Sequence, residues 1–339
     1  MVAPYYMPIL RAKRAELQAL LSLGTAEIPR VKPLIEPCPP GAATYDRHLT
    51  GIATQVMQWG FPVRVDDRRL PPGATVNGIP ALSYLCVAIR AHGRVAIPTI
   101  GPGRPSLGWI SPVIDSHGLC IRLSQQHFGN AGAHVSQLLS QFGVAPKDVD
   151  VLLDLGAIGG YYQVAPTVAS NALGQINNLL TFRSVTVAMG SFPGSITSVK
   201  PDDGLVSFPR REVTTFSQLV SAFTGPLLGF GDYTVGSYDL DPVTIDTYGS
   251  SANVRYATNS EWFVARAARL DRNNGIYQLC ADLTQHPAYS GPSYSSADAW
   301  VHEKAQGIPS TGNAATWRQN WVHRHMAVTA RSLASPPAP

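Results

Sequence analysis

Several carboxylates and cations in this chain stand just beyond short apolar runs, and their chemical types suit work on phosphate. Glu36 closes the run 31–35, Asp66 and Asp67 close 62–65, Asp154 closes 149–153, and Asp232 follows 227–230. Arg11 and Lys13 follow the run 6–10, and Arg122 follows 118–121. Hard cations such as Mg2+ take oxygen ligands, commonly one or two carboxylates together with substrate phosphate oxygens. An Arg or Lys beside such an ion grips the phosphoryl group and stabilises the charge developing on it. Glu36, Asp66 and Asp154 are therefore expected to hold Mg2+ or Mn2+ or to act as acid and base, with Asp232 as a further catalytic carboxylate. Lys13, Arg11 and Arg122 are expected to bind phosphate, supported by Arg255. The competing reading is structural: at such positions Asp and Glu cap helices or pair with arginines.

Other groups carry weaker signals. Lys13, near the end of the first run, suits a Schiff base with pyridoxal phosphate, but no late glycine-rich phosphate cup accompanies it. On a helix, His323 and His325 would point about 200° apart, so they could not share a metal from one face. His302 and Glu303 lack the H-E-x-x-H spacing. Trp317 and Trp321, four apart, read as a packing stripe. The tracts 101–103 and 190–195 are glycine-rich turns whose N–H groups could face an anion. The sequence contains neither a P-loop nor a nucleophile elbow.

What would bring these groups together is the alternation of the runs with helical segments. Eight apolar runs, at 6–10, 31–35, 62–65, 95–99, 118–121, 149–153, 184–188 and 227–230, are nearly continuous in hydrophobic character, as strands covered on both faces are. Helical periodicity covers 15–23, 45–59, 79–91, 133–142, 165–182 and 214–223, with several stops at glycine. The weakest helix is the one expected in 104–117, which holds two prolines. This pattern predicts an α/β fold, a TIM-like (β/α)8 barrel over 1–240, whose strand ends meet at one rim. An open doubly wound sheet is the rival, without a glycine-rich first turn to support it. A hairpin at 253–257 and 262–267, helical material at 296–306 and a Trp/His-rich helix at 311–332 predict an α+β appendage, 241–332, packed on the barrel. The Pro-rich end, 333–339, is expected to be disordered.

Bulk composition narrows the class. The 339 residues are 45% hydrophobic and only 14% charged, which suits a large filled core rather than disorder. A net charge of +4 without a Lys/Arg run argues against nucleic-acid partners. The group Arg64, Arg68, Arg69 is interrupted by Asp66 and Asp67, so it makes no clean cationic stripe. No apolar run reaches the roughly 20 residues of a membrane span, and the first residues lack a signal-peptide pattern. Four scattered cysteines favour a reduced, cytoplasmic chain.

The order of several short blocks adds a resemblance. The blocks are 5–13 (YYMPILRAK) with Glu16, 33–36 (PLIE), 152–156 (LLDLG), 191–193 (SFP), Arg211 with Glu212, 230–233 (FGDY) and 253–256 (NVRY). Gly312, Asn313, Trp317, Arg318, His323 and His325 complete the set. In this order the chain resembles the beta family of phage and bacterial proteins, named after the beta protein of bacteriophage T4. Arg324 separates two histidines that the family pattern would place side by side. The resemblance implies a phage or bacterial origin, a part in phage–host conflict and a phage or host protein as partner. It brings no established activity.

Together these observations lead to a metal-dependent hydrolase or phosphotransferase acting at the barrel rim on a phosphorylated small molecule or nucleotide. The alternative class is a non-catalytic barrel that binds a protein or nucleotide ligand. A pyridoxal-phosphate enzyme built on Lys13 is third.

Overall fold

The computed structural model describes residues 4–40, 44–104, 108–236, 238, 253–267, 272–308 and 312–334. In chain order its strands are β1 (Tyr6–Leu10), β2 (Leu34–Ile35), β3 (Val63–Asp66), β4 (Thr75–Val76), β5 (Ile79–Pro80), β6 (Ala96–Ile100) and β7 (Leu119–Ser124). They continue as β8 (Val149–Ala157), β9 (Ser184–Gly190), β10 (Val206–Pro209), β11 (Leu228–Asp232), β12 (Asn253–Ala257) and β13 (Glu261–Arg266). The helices are α1 (Arg14–Leu21), α2 (Tyr45–Val56), α3 (Ala81–Ala91), α4 (Ala131–Phe142), α5 (Ala165–Gly174) and α6 (Arg211–Ala222). After the barrel come α7 (Arg272–Gln285), α8 (Ser296–Ala305) and α9 (Ala314–Ser332).

Eight parallel strands close into the expected barrel in the order β1-β2-β3-β6-β7-β8-β9-β11. Closure is made by β1, which sets Ile9 opposite Leu34 on one side and Tyr6 opposite Phe230 on the other. Because side chains alternate along a strand, the barrel separates two apolar clusters. Met7, Ile9, Leu34, Ile97, Cys120, Leu152 and Ala188 fill the interior. Their strand neighbours Tyr6, Leu10, Ile35, Val65, Val151 and Phe230 belong to the larger cluster that includes the helices. Burying each such side chain contributes roughly 1.5–3 kcal/mol, so the alternation fixes which residues of each strand look inward.

Below the apolar interior layer lies a charged plug. Asp150 accepts from Arg64 Nε and Nη2 at 2.9 and 2.7 Å, from Arg183 Nε and Nη2 at 2.9 and 2.8 Å, and from Ser184 Oγ at 2.5 Å. Its carboxylate is thereby satisfied on both oxygens, as a buried charge must be.

The helices follow from local sequence. In α2, Thr44 caps the start by accepting from Arg47 N–H, and Leu49, Ile52, Ala53 and Val56 form the buried stripe. Three expectations change. Among the described residues no α-helix joins β6 to β7; a 3-10 turn at Ser111–Val113 stands there, where Pro112 can donate no helical hydrogen bond. Helix α5 ends at Gly174 rather than 182, because the chain turns through Asn178 at φ +53° into a 3-10 segment, Leu179–Thr181. Helix α7 forms at Arg272–Gln285, where the sequence reading expects no element.

The C-terminal part forms the antiparallel sheet β10-β13-β12, which takes β10 from the connection between β9 and α6. Helix α9 packs along α1 and against β12, touches β1, and is tied to the start of α6 where Arg210 Nη2 donates to Thr329 Oγ1 at 3.0 Å. It stands where an eighth barrel helix would complete the ring. The boundary expected at residue 240 and residues 335–339 of the expected tail lie outside the described residues. All four cysteines are free and buried. No helix among the described residues is long and apolar enough to cross a membrane.

Candidate functional site

Strand alternation sends Glu36, Asp66, Arg122 and Asp154 into the barrel mouth, above Leu34 on β2, Cys120 on β7 and Leu152 on β8, and above Arg64 of the plug on β3. Arg122, almost fully buried, is the hub. Its Nη1 donates to Glu36 Oε1 at 2.5 Å and to Asp66 Oδ2 at 2.7 Å. Its Nε and Nη2 donate to Asp154 Oδ2 at 3.0 and 2.7 Å, and Nη2 also reaches Tyr233 Oη at 3.2 Å. Tyr233, one residue past Asp232 and so of opposite facing, donates its hydroxyl to Asp154 Oδ1, which also accepts from Gly156 N–H at 2.9 Å. A break in the β8–β9 register between Asp154 and Ala157 produces that turn of the backbone.

Each hub carboxylate is met from the solvent side by a second arginine. Arg69 Nε donates to Glu36 Oε2 at 2.6 Å, Arg68 Nη1 to Asp154 Oδ2 at 2.6 Å, and Arg104 Nη1 to Asp66 Oδ1. Arg104 also lies 3.8 Å from Asp67. Gly101 makes room for this arrangement, since a Cβ there would stand 2.7 Å from the Arg122 carbonyl oxygen and 2.9 Å from Arg104 Nε. Burial alone would raise the Asp66 pKa, yet Arg104 and Arg122 outweigh it and hold the group well below the ordinary range. Asp154 is lowered in the same way by Arg122 and Arg68 against the pull of burial. Both carboxyls are therefore ionised at neutral pH and have no proton to donate.

Among the described residues, Arg68 lines two cavities that open at this rim. One, about 460 Å3, is bounded by Arg68, Ser124, Gln125, Asp154, Tyr161 and Tyr238. The other, about 420 Å3, is lined by Asp67, Arg68, Arg104 and Trp109 and by residues of the β4–β5 hairpin. The Arg68 guanidinium packs 4.8 Å from the Tyr238 ring centre and is about a third exposed, at 30%.

The remaining expected site residues are placed elsewhere. Asp232 shares the facing of Leu228 and Phe230 and points out of the barrel. There it accepts from Tyr6 Oη at 2.6 Å and from His325 Nε2 at 2.6 Å, with Arg210 at 3.7 Å. Arg11 borders the hub, its pKa lowered by burial and then by Arg69, while its backbone N–H donates to Glu16 Oε2 at 2.5 Å. Lys13 precedes α1 and has Arg318, Glu16, Cys38 and Arg11 as electrostatic neighbours; burial, then Arg318, lowers its pKa. Arg255 on β12 donates to Asn253 Oδ1 and to the Val235 carbonyl, both at 3.0 Å, and burial with Arg318 nearby lowers its pKa to about 10. As helical geometry requires, His323 and His325 part company: His323 Nδ1 pairs with Ser296 Oγ at 3.0 Å, while His325 stacks on Trp262. Trp317 packs between Trp300 and Trp321.

Glu36, Asp66 and Asp154 as arranged do not fit a divalent cation. Asp154 Oδ2 alone accepts three guanidinium N–H groups, and a metal ion would have to displace them. Among the described residues no group of three or more His, Cys, Asp or Glu is disposed to hold a metal. Sequence reading missed Arg68, Arg69, Arg104 and Tyr233. The signal for the first two was the pair of arginines directly behind the acidic end of β3, and for Tyr233 its place just past β11, where alternation turns it inward.

No curated protein matches the chain. Among solved structures, a crystal structure of a "putative lyase/mutase" from Burkholderia cenocepacia J2315 is similar at 15% identity and a TM-score of 0.35, covering 69% of this chain and 77% of that one. The family described as Beta protein matches residues 6–331, which is nearly the whole length and takes in barrel, rim and C-terminal sheet. The chain belongs to the Beta protein family.

Proposed function

We propose that the carboxyl-end rim of the barrel binds a phosphorylated small molecule or nucleotide, and that arginine rather than metal holds its phosphate. The observation that carries this is Arg68. Its guanidinium has five N–H donors, gives one nitrogen to Asp154, and lines both rim cavities. Glu36, Asp66 and Asp154 then serve to fix the arginines, so that a ligand meets donors already in place and little ordering cost remains. Three guanidinium-bound carboxylates, of which Asp66 and Asp154 are held ionised, favour a binding barrel over a metal-dependent hydrolase or phosphotransferase.

Calorimetric titration with inorganic pyrophosphate in EDTA tests the reading, comparing the wild type with Arg68→Gln. Charge-assisted hydrogen bonds are worth about 1.5–3 kcal/mol, so the variant should lose about 10- to 100-fold in affinity. Equal affinity in the two proteins, or binding that requires added Mg2+, overturns it.

A further inference from the structure

We infer that the ligand of this rim is a nucleotide, with its base stacked on Trp109 in the cavity beneath the β4–β5 hairpin and its phosphate on Arg68. The inference rests on the rim reading above and narrows it to one chemical class. Trp109 is 65% exposed, an unusual state for the largest apolar side chain, and it lines the 420 Å3 cavity together with Arg68 and Arg104. That volume lies within the range of small-molecule sites. The backbone that carries the ring is anchored. Ser83 Oγ donates to the Trp109 carbonyl at 3.2 Å, and the next residue, Ile110, is buried in the core.

The hairpin that contributes to the lining is fixed as well. Asn77 and Gly78 both take positive φ, +51° and +81°, which makes the β4–β5 link a tight two-residue turn. Leu70, Pro71, Pro72 and Pro80 leave that side apolar and short of donors. A flat aromatic face, an apolar slot and an arginine at one end match a base and its phosphate. Stacking of this kind accepts any base, because every base has a π-face. Asp67, on the same cavity, repels an anion from its side and is placed to accept from ribose hydroxyls or a base amino group. The phosphate is thereby directed to Arg68.

The test compares AMP, GMP, CMP and UMP with ribose 5-phosphate by calorimetry, using wild type, Trp109→Ala, Trp109→Phe and Arg68→Gln. In the wild type the nucleotides should bind about tenfold or more tighter than ribose 5-phosphate. Trp109→Ala should abolish that difference and leave ribose 5-phosphate affinity unchanged; Trp109→Phe should keep most of it. Arg68→Gln should weaken all five ligands. If Trp109→Ala binds nucleotides as wild type does, or if ribose 5-phosphate binds as tightly as they do, the base does not stack here and the inference fails while the rim reading stands. If Arg68→Gln weakens none of the ligands, or if none of them binds the wild type, both fail.

Discussion

Arg122 and Asp154 are joined by two hydrogen bonds that end on a single oxygen, Oδ2, at 3.0 and 2.7 Å, in a place where both side chains are almost wholly buried. The same guanidinium neutralises Glu36 and Asp66 on neighbouring strands, so one cation holds three strand ends together across the barrel mouth.

Removing that cation leaves three buried carboxylates facing one another. Arg122→Met should destabilise the fold by about 3–5 kcal/mol, because the buried carboxylates lose a shared cation, and Asp154→Leu by a similar amount, because buried guanidinium N–H groups of Arg122 lose their acceptor. The double variant should cost clearly less than the sum, since the two changes cancel in charge. Urea denaturation of all four proteins supplies the cycle; strict additivity would show that the pair is not coupled.

Arg68 should behave in the opposite way. It is partly exposed and gives one nitrogen to Asp154, so Arg68→Gln should change stability by less than about 1 kcal/mol. The same substitution should nonetheless weaken anion binding about 10- to 100-fold. A large drop in melting temperature would show instead that Arg68 is part of the fold's framework.

The plug at the other end of the barrel is a stability element alone. Asp150→Ala strands Arg64, which is 4% exposed, and should cost about 3–5 kcal/mol without altering anion affinity in the protein that still folds. Loss of affinity at unchanged stability would contradict the separation of the two ends.

Acid should weaken the C-terminal packing before it touches the carboxylates. Burial, with Arg331 and Arg324 nearby, lowers the His323 pKa from 6.5 to about 4 despite Glu27 and Asp298. Between those values the unfolded chain binds a proton that the folded chain excludes, so stability falls as pH drops through this window. The loss is about 3 kcal/mol by pH 4. His325, also lowered by burial, adds to it. Denaturation midpoints from pH 7.5 to 4.5 should slope downward in the wild type and less steeply in His323→Gln; parallel curves would contradict the assignment.

The barrel was legible because eight runs buried on both faces leave little choice of sheet. The rim was legible in part. Glu36, Asp66, Arg122 and Asp154 share inward facing and meet, whereas Asp232 follows Phe230 in facing and looks outward, a difference that strict alternation along 228–232 already contains. Arg68, Arg69 and Arg104 sit on loops, where no periodicity announces direction. Helix α7 was hidden because Asn273, Asn274 and Gly275 open it and favour turns over helix. The partner of Asp232 was beyond sequence reading, since His325 lies on a helix 93 positions away.

The most direct measurement is a crystal structure grown with a mononucleotide and Mn2+, read with anomalous scattering. Phosphate oxygens should stand at hydrogen-bonding distance from Arg68, with the base on Trp109 and no manganese peak among Glu36, Asp66 and Asp154. A manganese ion seated on those carboxylates, with Arg122 and Arg68 turned away from them, would contradict this reading.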